Sequence, residues 1–403
     1  MVAILSHSYG ISHLEMIEDA IQEAFFKALR SWSFNYIPDN PSAWLLTVAK
    51  NQLRDHFRKQ KTRQRHLESI PETATSSIDQ APVYRPEEIA DSQLRLIFAC
   101  CDPILKQEDQ IALTLKTISG FSIKEIASSL LLPTETIKKR IQRARKTIAR
   151  QENALQIPAG KELGKRLRTV QTVLYLLFNE GYHSLMADEL IRKELCAEAM
   201  RLCKLLNDHP ECQSPATKAL LSLMCFHAAR FESRLDDSQQ IILLKDQDRS
   251  LWNQALIQLG HHYLQQAATG RSLDPYQIEA AVAGYHCMAP SFQETNWTEL
   301  HRLYSLLLQY KSNPIILLNL VVVLIQLEEL EEAHLVFGRV NEERFGGRAY
   351  LYYAVGAELF SKRLEQEKAK VFLKKAISNT QSKSERELLE LKLQRLSNNP
   401  PLQ

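Results

Sequence analysis

The stretch from 121 to 150, FSIKEIASSLLLPTETIKKRIQRARKTIAR, has the pattern of two short amphipathic helices separated by a turn. The first apolar stripe begins at Ile123 and recurs at i+3, i+4 and i+7, and Ser122 and Glu125 have the spacing of a capping box just before it. Pro133 then interrupts the pattern, because the residue before a proline is biased away from the helical conformation. A second stripe follows at Ile137, Ile141, Ala144 and Ile148. This arrangement predicts a helix-turn-helix.

The second helix of the pair is strongly cationic. Seven Lys or Arg residues lie between Lys138 and Arg150, with no acidic residue among them. In a helix-turn-helix the N-terminal turn of this helix enters the major groove, and its flank rests on phosphates. A solvated basic face is the alternative for any single cationic helix, but the capped helix and the turn before it favour DNA binding. We expect Thr134, Glu135, Thr136, Lys138 and Lys139 at base edges, and Arg140, Arg143, Arg145 and Lys146 at phosphates.

Length and charge set the broad class. A chain of 403 residues is long enough for two or three domains with substantial cores. The formal net charge is only +3, but the first 150 residues hold 21 Lys or Arg against 17 Asp or Glu, so the positive excess is N-terminal. No apolar run reaches the roughly 18 residues of a membrane span, and the start lacks the basic region of a secretory signal. We expect a cytoplasmic protein without membrane contact.

The sequence offers little support for metal, nucleotide or catalytic chemistry. The seven cysteines form no C-x-x-C pair and no zinc-type cluster with histidine, so we expect them to be reduced and mostly buried. Neither phosphate-binding glycine motif occurs. Catalytic triads and carboxylate pairs meet in space and cannot be identified from spacing alone. We expect no metal, no cofactor and no enzymatic activity.

Helical periods run along almost the whole chain, which predicts an all-α fold. Pro38 and Pro41 force a turn in the N-terminal part, after which Ser42 can cap the next helix. The stretch LESIPETATSSIDQAPVYRPEE has the composition of a linker. The predicted parts are a first helical domain at 1–66, a linker at 67–88, the helix-turn-helix domain at 89–152 and a C-terminal helical domain at 153–403.

A second cationic run, SAWLLTVAKNQLRDHFRKQKTRQR, lies in the first domain. Its cations are Lys50, Arg54, Arg58, Lys59, Lys61, Arg63 and Arg65, and the aromatic residues nearby are Trp32, Phe34, Tyr36 and Trp44. Aromatic rings beside a basic track are typical of single-stranded DNA binding, because bases stack on the rings while phosphates follow the charge. The alternative is that Trp44 and Leu45 belong to the core. Two basic surfaces in one chain suggest a protein that binds promoter DNA at two separate sites.

Three segments resemble bacterial sigma factors of the extracytoplasmic-function type. IEDAIQEAFFKAL is similar to the helix that binds the clamp of RNA polymerase, WLLTVAKNQLRDHFR to the domain-two helix that reads the minus-ten element, and 121–150 to domain four, which reads the minus-thirty-five element. The resemblance implies polymerase contacts at Asp19, Gln22, Glu23 and Phe25. It places Trp44, Asn51, Arg54, Asp55 and Arg58 at the minus-ten element. Fewer residues precede Asp19 than we expect for the first helix of domain two.

Further segments are LRLIFACCDPILKQEDQIALTLKTISGFSIKEIA, VLYLLFNEGYHS, LCAEAMRLCKLL, LLKDQDRSLWNQALI and DPYQIEAAVAGYHC. They resemble a subgroup of these sigma factors that has a C-terminal helical extension similar to tetratricopeptide repeats. The pattern from Leu318 to Val340 recurs from Tyr352 to Ala376 with an offset of about 34 residues in the first helices, as in stacked helix pairs. Two polar-aromatic motifs, FNEGY and DQDRSLW, lie in this region. One interpretation is that these motifs form a pocket for a signal or a contact with the sigma domains. The alternative is that they only cap helices and form hydrogen bonds between helices. Their candidate residues are Asn179, Glu180, Tyr182, Asp246, Asp248 and Arg249.

The resemblance implies a sigma factor that recruits core RNA polymerase to promoter DNA, as duplex and as opened strand, under the control of the C-terminal domain. That domain is expected to contact the sigma domains within the same chain. The alternative is a helix-turn-helix repressor or activator with a ligand-sensing helical domain. A third reading, an enzyme in the C-terminal part, has no positive support in the sequence. Binding to core polymerase separates the first two, because a repressor binds its operator alone, usually as a dimer.

Overall fold

A computed structural model of the chain describes residues 1–32, 37–65, 86–130, 132–150, 160–182, 192–236, 241–269, 273–311, 313–380 and 383–398. Over these residues the regular structure is helical, apart from one isolated antiparallel bridge between Leu235 and Ile241. The predicted all-α fold is confirmed. The chain falls into two compact units, one formed by residues 1–127 and 133–173 and the other by residues 128–132 and 174–403.

The helices of the N-terminal part, in chain order, are α1 (Val2–Tyr9), α2 (Leu14–Ser31), α3 (Pro41–Arg65), α4 (Pro86–Cys100), α5 (Gln107–Thr117), α6 (Ile123–Ser129), α7 (Thr134–Ile148) and α8 (Gly160–Tyr182). A short 3-10 turn, Ile11–His13, joins α1 to α2. The predicted linker 67–88 lies outside the described residues up to position 85, and α4 already begins at Pro86.

Helices α2 and α3 pack against each other because each carries an apolar stripe at helical spacing. The buried residues of this cluster are Ile4, Leu5, Ile17, Ala20, Ile21, Ala24, Ala28, Leu45, Leu46, Ala49 and Leu53. α3 begins at Pro41, where the missing N–H would have had no helical partner. The side chain of Asn40 accepts a hydrogen bond from the Ala43 N–H at 3.0 Å, so Asn40 occupies the capping place that we expected for Ser42. Ser42 lies inside the first turn, because the helix begins at Pro41, two residues earlier than a cap at Ser42 would place it.

The helix-turn-helix forms as its spacing predicts. The Ser122 N–H donates to Glu125 Oε2 at 2.7 Å, and the Glu125 N–H donates to Ser122 Oγ at 3.2 Å, which is a complete capping box. α6 starts at Ile123, and α7 starts at Thr134 directly after the proline. Gly120 has φ +68°, a conformation that glycine adopts without strain and that turns the chain from α5 into α6.

A further buried cluster in the same unit joins the N-terminal helices to the helix-turn-helix. It comprises Ala3, Ile11 and Leu14 from the N-terminal side together with Leu96, Ala99, Cys100, Leu105, Leu113, Ala144 and Ile148. Ile11 and Leu14 are 3% and 2% exposed, so their burial depends on the helices that follow the linker. The two predicted sigma domains therefore share a core in this structure.

The helices of the C-terminal part are α9 (Lys193–Asp208), α10 (Pro215–Ala228), α11 (Gln254–Ala267), α12 (Pro275–Met288), α13 (Trp297–Tyr310), α14 (Pro314–Gln326), α15 (Leu330–Phe337), α16 (Ala349–Lys362), α17 (Gln366–Asn379) and α18 (Lys383–Asn398). Several of their N-termini have side-chain caps, which satisfy N–H groups that the helix leaves without partners. The capping residues are Ser214, Asn253, Asp274, Asn296 and Asn313.

The turn after α14 is repeated after α16. Glu328 and Leu364 both have positive φ, 62° and 61°, and lie 36 residues apart. The residue after each one donates its N–H back to the helix, Glu329 to the Leu324 carbonyl at 3.0 Å and Glu365 to the Phe360 carbonyl at 2.9 Å. The structural period of α14 and α16, the first helices of the two repeats, is therefore 36 residues. The offset of 34 residues that we expected for them is too short by two residues.

The burial pattern explains the error. At an offset of 36, the buried Val321 corresponds to the buried Ala357, whereas an offset of 34 selects the half-buried Val355. Gly356 beside it is in close contact with Phe372 and Phe337, since a Cβ added there would lie 2.6 Å and 2.7 Å from their rings. The helix pairs pack closely at this point because glycine leaves room for two aromatic rings.

All seven cysteines are free thiols, and six of them are buried, while Cys287 is half-buried. The prediction of mostly buried cysteines is confirmed. Burial raises the pKa of Cys101 to about 12, so this thiol stays protonated and unreactive at neutral pH. Within the described residues, no group of three or more His, Cys, Asp or Glu side chains is arranged to hold a metal ion.

Candidate nucleic-acid interface

Helix α7 is divided into a buried face and a basic face. Ile137, Ile141, Ala144 and Ile148 are buried, as their spacing predicts. The residues predicted to contact DNA lie on the remaining arc: Thr134, Glu135, Lys138, Lys139, Arg143 and Lys146 are exposed, and Thr136 and Arg140 are half-buried. The first turn of α7 is thus accessible at the position where a recognition helix meets base edges.

Two cations of this face already have protein partners. Arg143 donates from Nε and Nη2 to the two carboxylate oxygens of Asp109, at 2.6 Å and 2.5 Å, and the Asp109 side chain is only 3% exposed. This bidentate bond raises the pKa of Arg143 and fixes α7 against α5. Lys138 Nζ lies 2.6 Å from Glu135 Oε1, and that hydrogen bond lowers the pKa of the Glu135 carboxyl. Both members of the second pair are exposed, so solvent and salt weaken it.

Arg145 points away from the basic face. Its Nη2 donates to Glu18 Oε2 of α2 at 2.5 Å, and the two side chains are only 23% and 18% exposed. We expected Arg145 to contact phosphate, and the structure places it instead in a half-buried ion pair. The reason is its position, since residue 145 adjoins the buried stripe between Ile141 and Ile148 on the helix surface. Of the cations predicted to contact phosphates, Arg140 and Lys146 have no ion pair among the described residues.

The second basic surface lies on α3. Asn51, Arg54, Asp55 and Arg58 are all exposed and follow the spacing i, i+3, i+4 and i+7, which places them on one face. Trp44 differs from them. It is half-buried, packs against the α2–α3 cluster and has its ring centroid 5.3 Å from that of Trp32. These contacts of Trp44 are those expected from the alternative, in which Trp44 belongs to the core. The other predicted stacking residues, Phe34 and Tyr36, and the side chains of Lys61, Arg63 and Arg65 lie outside the described residues.

The predicted polymerase-binding residues lie on α2. Asp19, Gln22, Glu23 and Phe25 are exposed, on the side of the helix opposite its buried stripe. Asp19 and Glu23 also line an open groove of about 560 Å³ between α2 and α3. A surface with acidic side chains and a concave wall fits a basic partner.

Sequence analysis missed two members of this surface, Phe26 and Leu29. Phe25, Phe26 and Leu29 are 48%, 46% and 77% exposed, and together they form a contiguous apolar patch at the C-terminal end of α2. The guanidinium of Arg30 lies 4.2 Å from the centroid of the Phe26 ring. The signal was present in the sequence, because these residues fall outside the apolar stripe of Ile17, Ile21, Ala24 and Ala28. Exposed apolar patches rimmed by polar residues mark protein interaction sites.

The motif FNEGY lies at the end of α8 in the second unit. The Arg234 guanidinium lies 3.7 Å from the centroid of the Tyr182 ring and donates to the Tyr182 carbonyl at 2.5 Å. Asn179 forms a side-chain hydrogen bond with Tyr175, and Glu180 is buried. The ring of Tyr182 also lies 4.7 Å from that of His227, whose pKa is lowered to about 3 by burial, so this histidine is neutral.

The motif DQDRSLW forms a short 3-10 segment between α10 and α11. Hydrogen bonds from the side chain of Ser250 and from its N–H, the latter at 2.9 Å, lower the pKa of the Asp248 carboxyl. Arg249 Nη1 donates to the carbonyl oxygens of His286 and Ala289, at 2.5 Å and 2.7 Å. These contacts agree with the second interpretation of the motif, in which it only caps helices and forms hydrogen bonds between helices. Asp246 and Asp248 are both exposed, and Asp246 lies on the rim of a cavity described below.

Comparison with known protein families gives matches along most of the chain. Residues 4–63 match the model of sigma-70 region 2, and residues 103–148 match the model of sigma-70 region 4. Residues 166–268 match a family of unknown function, DUF6596. The two sigma-70 matches include α2, α3 and α7, the helices that carry the surfaces described above.

Curated relatives agree with these matches. An uncharacterized protein of Rhizobium meliloti is 32% identical over 96% of this chain and 92% of its own length. The ECF RNA polymerase sigma factor SigX of Bacillus subtilis is 28% identical over 37% of this chain and 76% of its own. The ECF RNA polymerase sigma factor EcfG of Rhodopseudomonas palustris is 30% identical over 33% of this chain and 68% of its own. No solved structure matches the chain, and none of the helices in its described residues is long and apolar enough to span a bilayer.

Proposed function

The chain belongs to the sigma-70 family of RNA polymerase sigma factors, in its extracytoplasmic-function group, and we propose that α2 recruits core polymerase while α3 and α7 hold promoter DNA at two elements. The protein is a transcription initiation factor of the sigma type. The observation that carries the residue assignment is the placement of three exposed surfaces, an acidic and apolar one on α2 and basic ones on α3 and α7.

The two basic surfaces suit different forms of DNA. The N-terminal turn of α7, with Thr134, Glu135 and Thr136, is narrow and accessible enough to enter the major groove of a duplex. The exposed face of α3 combines two arginines with Asn51 and Asp55, and it would hold the opened strand of the minus-ten element. Residues 1–66 are proposed as sigma domain two and residues 89–152 as domain four.

The shared core of the first unit supports a closed arrangement that opens on the promoter. Elements centred about 25 base pairs apart are separated by about 85 Å along B-form DNA. A compact unit of about 170 residues has a radius of gyration of only about 15 Å. The Arg145–Glu18 ion pair and the cluster around Leu14 hold α7 against the N-terminal helices. We infer that these contacts separate when both elements are bound.

Residues from 153 onward are proposed as a regulatory domain that acts on the sigma domains of the same chain. Catalysis of RNA synthesis belongs to the polymerase, so no enzymatic activity is assigned to this chain. The place of action is proposed to be the cytoplasm, where polymerase and promoter DNA are found.

The DNA assignments predict different effects for two neighbouring residues of α7. Lys146→Ala will weaken promoter binding by the holoenzyme equally for all sequences and lower the salt slope by about one, because it removes a phosphate contact. Glu135→Ala will relax the preference at one base position and leave the salt slope unchanged within about 0.3. Binding to a set of promoter duplexes at several salt concentrations measures both quantities.

Lys374→Ala is the matched control, since Lys374 is an exposed lysine of α17. It should change neither the slope nor the preference. If Lys146→Ala altered sequence preference as strongly as Glu135→Ala, the division of α7 into a reading turn and a phosphate-binding flank would be wrong.

A further inference from the structure

An open cavity of about 430 Å³ lies in the C-terminal unit, between α16, α17, α18 and the segment around Leu243. Its volume is within the range of small-molecule sites in proteins. Among the described residues, the apolar part of its wall consists of alanine and leucine side chains, with no aromatic ring: Leu243, Ala354, Ala357, Leu373, Leu388, Leu391 and Leu396. Such a wall fits a slender hydrocarbon chain better than a planar ring, which gains from aromatic stacking.

The polar part of the wall is predominantly cationic. Lys245, Lys362, Lys392 and Arg395 line the cavity, against two carboxylates, Asp246 and Glu358. None of these four cations forms an ion pair with another described residue. The lining therefore carries a net formal charge of about +2 at neutral pH.

Lys392 is the central member of this group. It is half-buried on α18, and burial lowers its pKa, with Lys245 acting in the same direction and Glu358 and Asp246 opposing it. An ammonium group that is partly removed from water and lacks an ion-pair partner gains from an anion that replaces the lost solvation. The ammonium group of a lysine is a compact point charge with three hydrogen-bond donors, so it can pair with a carboxylate, as the guanidinium of an arginine also can.

We propose that this cavity binds a medium-chain aliphatic carboxylate, with the hydrocarbon chain against the alanine and leucine wall and the carboxylate at Lys392. The charge of the lining selects an anion, and the alanine and leucine side chains of the wall favour an aliphatic body. A bound ligand would contact α16, α17 and α18 together and tie these three helices to the segment around Leu243. Binding itself does not depend on the proposed sigma function, and only a consequence for transcription would rest on it.

Isothermal titration of the full-length chain with decanoate, without polymerase or DNA, tests the site. We expect saturable binding with one decanoate per chain, and affinities at least about tenfold weaker for decanol and for decyltrimethylammonium. Lys392→Met should weaken decanoate binding at least about tenfold, while Lys392→Arg should retain most of it. Lys383→Met is the matched control on the same helix, since the Lys383 side chain is 88% exposed and should not affect binding.

A second variant keeps the test independent of charge. Ala354→Leu would fill the cavity from its apolar wall and should reduce decanoate binding without changing any cation. Thermal unfolding of each variant confirms that it is folded before the titration. Absence of saturable decanoate binding below its micellar concentration would overturn the proposal, as would equal affinity in Lys392→Met. Decanol binding as tightly as decanoate would also overturn it, because the carboxylate would then make no contribution.

Discussion

Replacing Phe25 and Leu29 together with alanine should weaken binding to core RNA polymerase by at least about thirtyfold. Both side chains are exposed on α2, at 48% and 77%, and they belong to the apolar patch beside the acidic residues. Burying a side chain of this size in an interface contributes about 1.5–3 kcal/mol, so losing two of them costs more than the roughly 2 kcal/mol that corresponds to a thirtyfold loss of affinity. The fold should be retained, because substitutions at exposed positions usually change the free energy of unfolding by less than about 0.5 kcal/mol.

The control for this variant is Leu335→Ala on α15, which removes an exposed leucine, 67% accessible, from the other unit. Affinity for core polymerase, measured by fluorescence anisotropy with both variants, should be unchanged by the control. A Phe25 and Leu29 double variant that bound core polymerase within twofold of the unaltered chain would remove this patch of α2 from the proposed interface.

Removing the charge of Glu18 should open the first unit. Glu18→Gln leaves Arg145 half-buried without its carboxylate, and a hydrogen bond to a charged group contributes about 1.5–3 kcal/mol. The ratio of open to closed molecules should therefore rise by at least about tenfold. Spin labels at Ser31 and Gln142, which are exposed on α2 and α7, would report the change as a longer distance between the two helices. The native thiols interfere little, because most of them are buried and protonated.

Glu23→Gln is the matched control, since it removes the same charge from an exposed position of α2 that has no ion pair with the described residues of α7. Its distance distribution should equal that of the unaltered chain. An unchanged distribution in Glu18→Gln would mean that the ion pair does not hold the closed arrangement.

Local features of the fold could be predicted from the sequence. The capping box at Ser122 and Glu125, the start of α6 and the buried stripe of α7 depend on residues within a few positions of each other, and the structure confirms them. The exposed apolar patch of α2 was also encoded locally, in side chains that fall outside the buried stripe.

Contacts between distant segments could not be predicted in the same way. Arg145 and Glu18 are 127 positions apart, and Arg143 and Asp109 are 34 apart, so no periodicity indicates which cations of α7 are already paired. The 36-residue turn repeat was obscured because the positions that recur at that interval differ in size, as with Val321 and Ala357. The cavity at Lys392 likewise depends on helices that meet only in the folded unit.

Run-off transcription by core RNA polymerase on a genomic promoter library, with and without the chain, tests the sigma assignment most directly. The account predicts that the chain directs initiation to a limited set of promoters with two common elements about 25 base pairs apart. It also predicts that the Phe25 and Leu29 double variant loses these transcripts. No initiation above that of core polymerase alone, combined with tight binding of the free chain to a palindromic operator as a dimer, would contradict the account and favour the helix-turn-helix regulator.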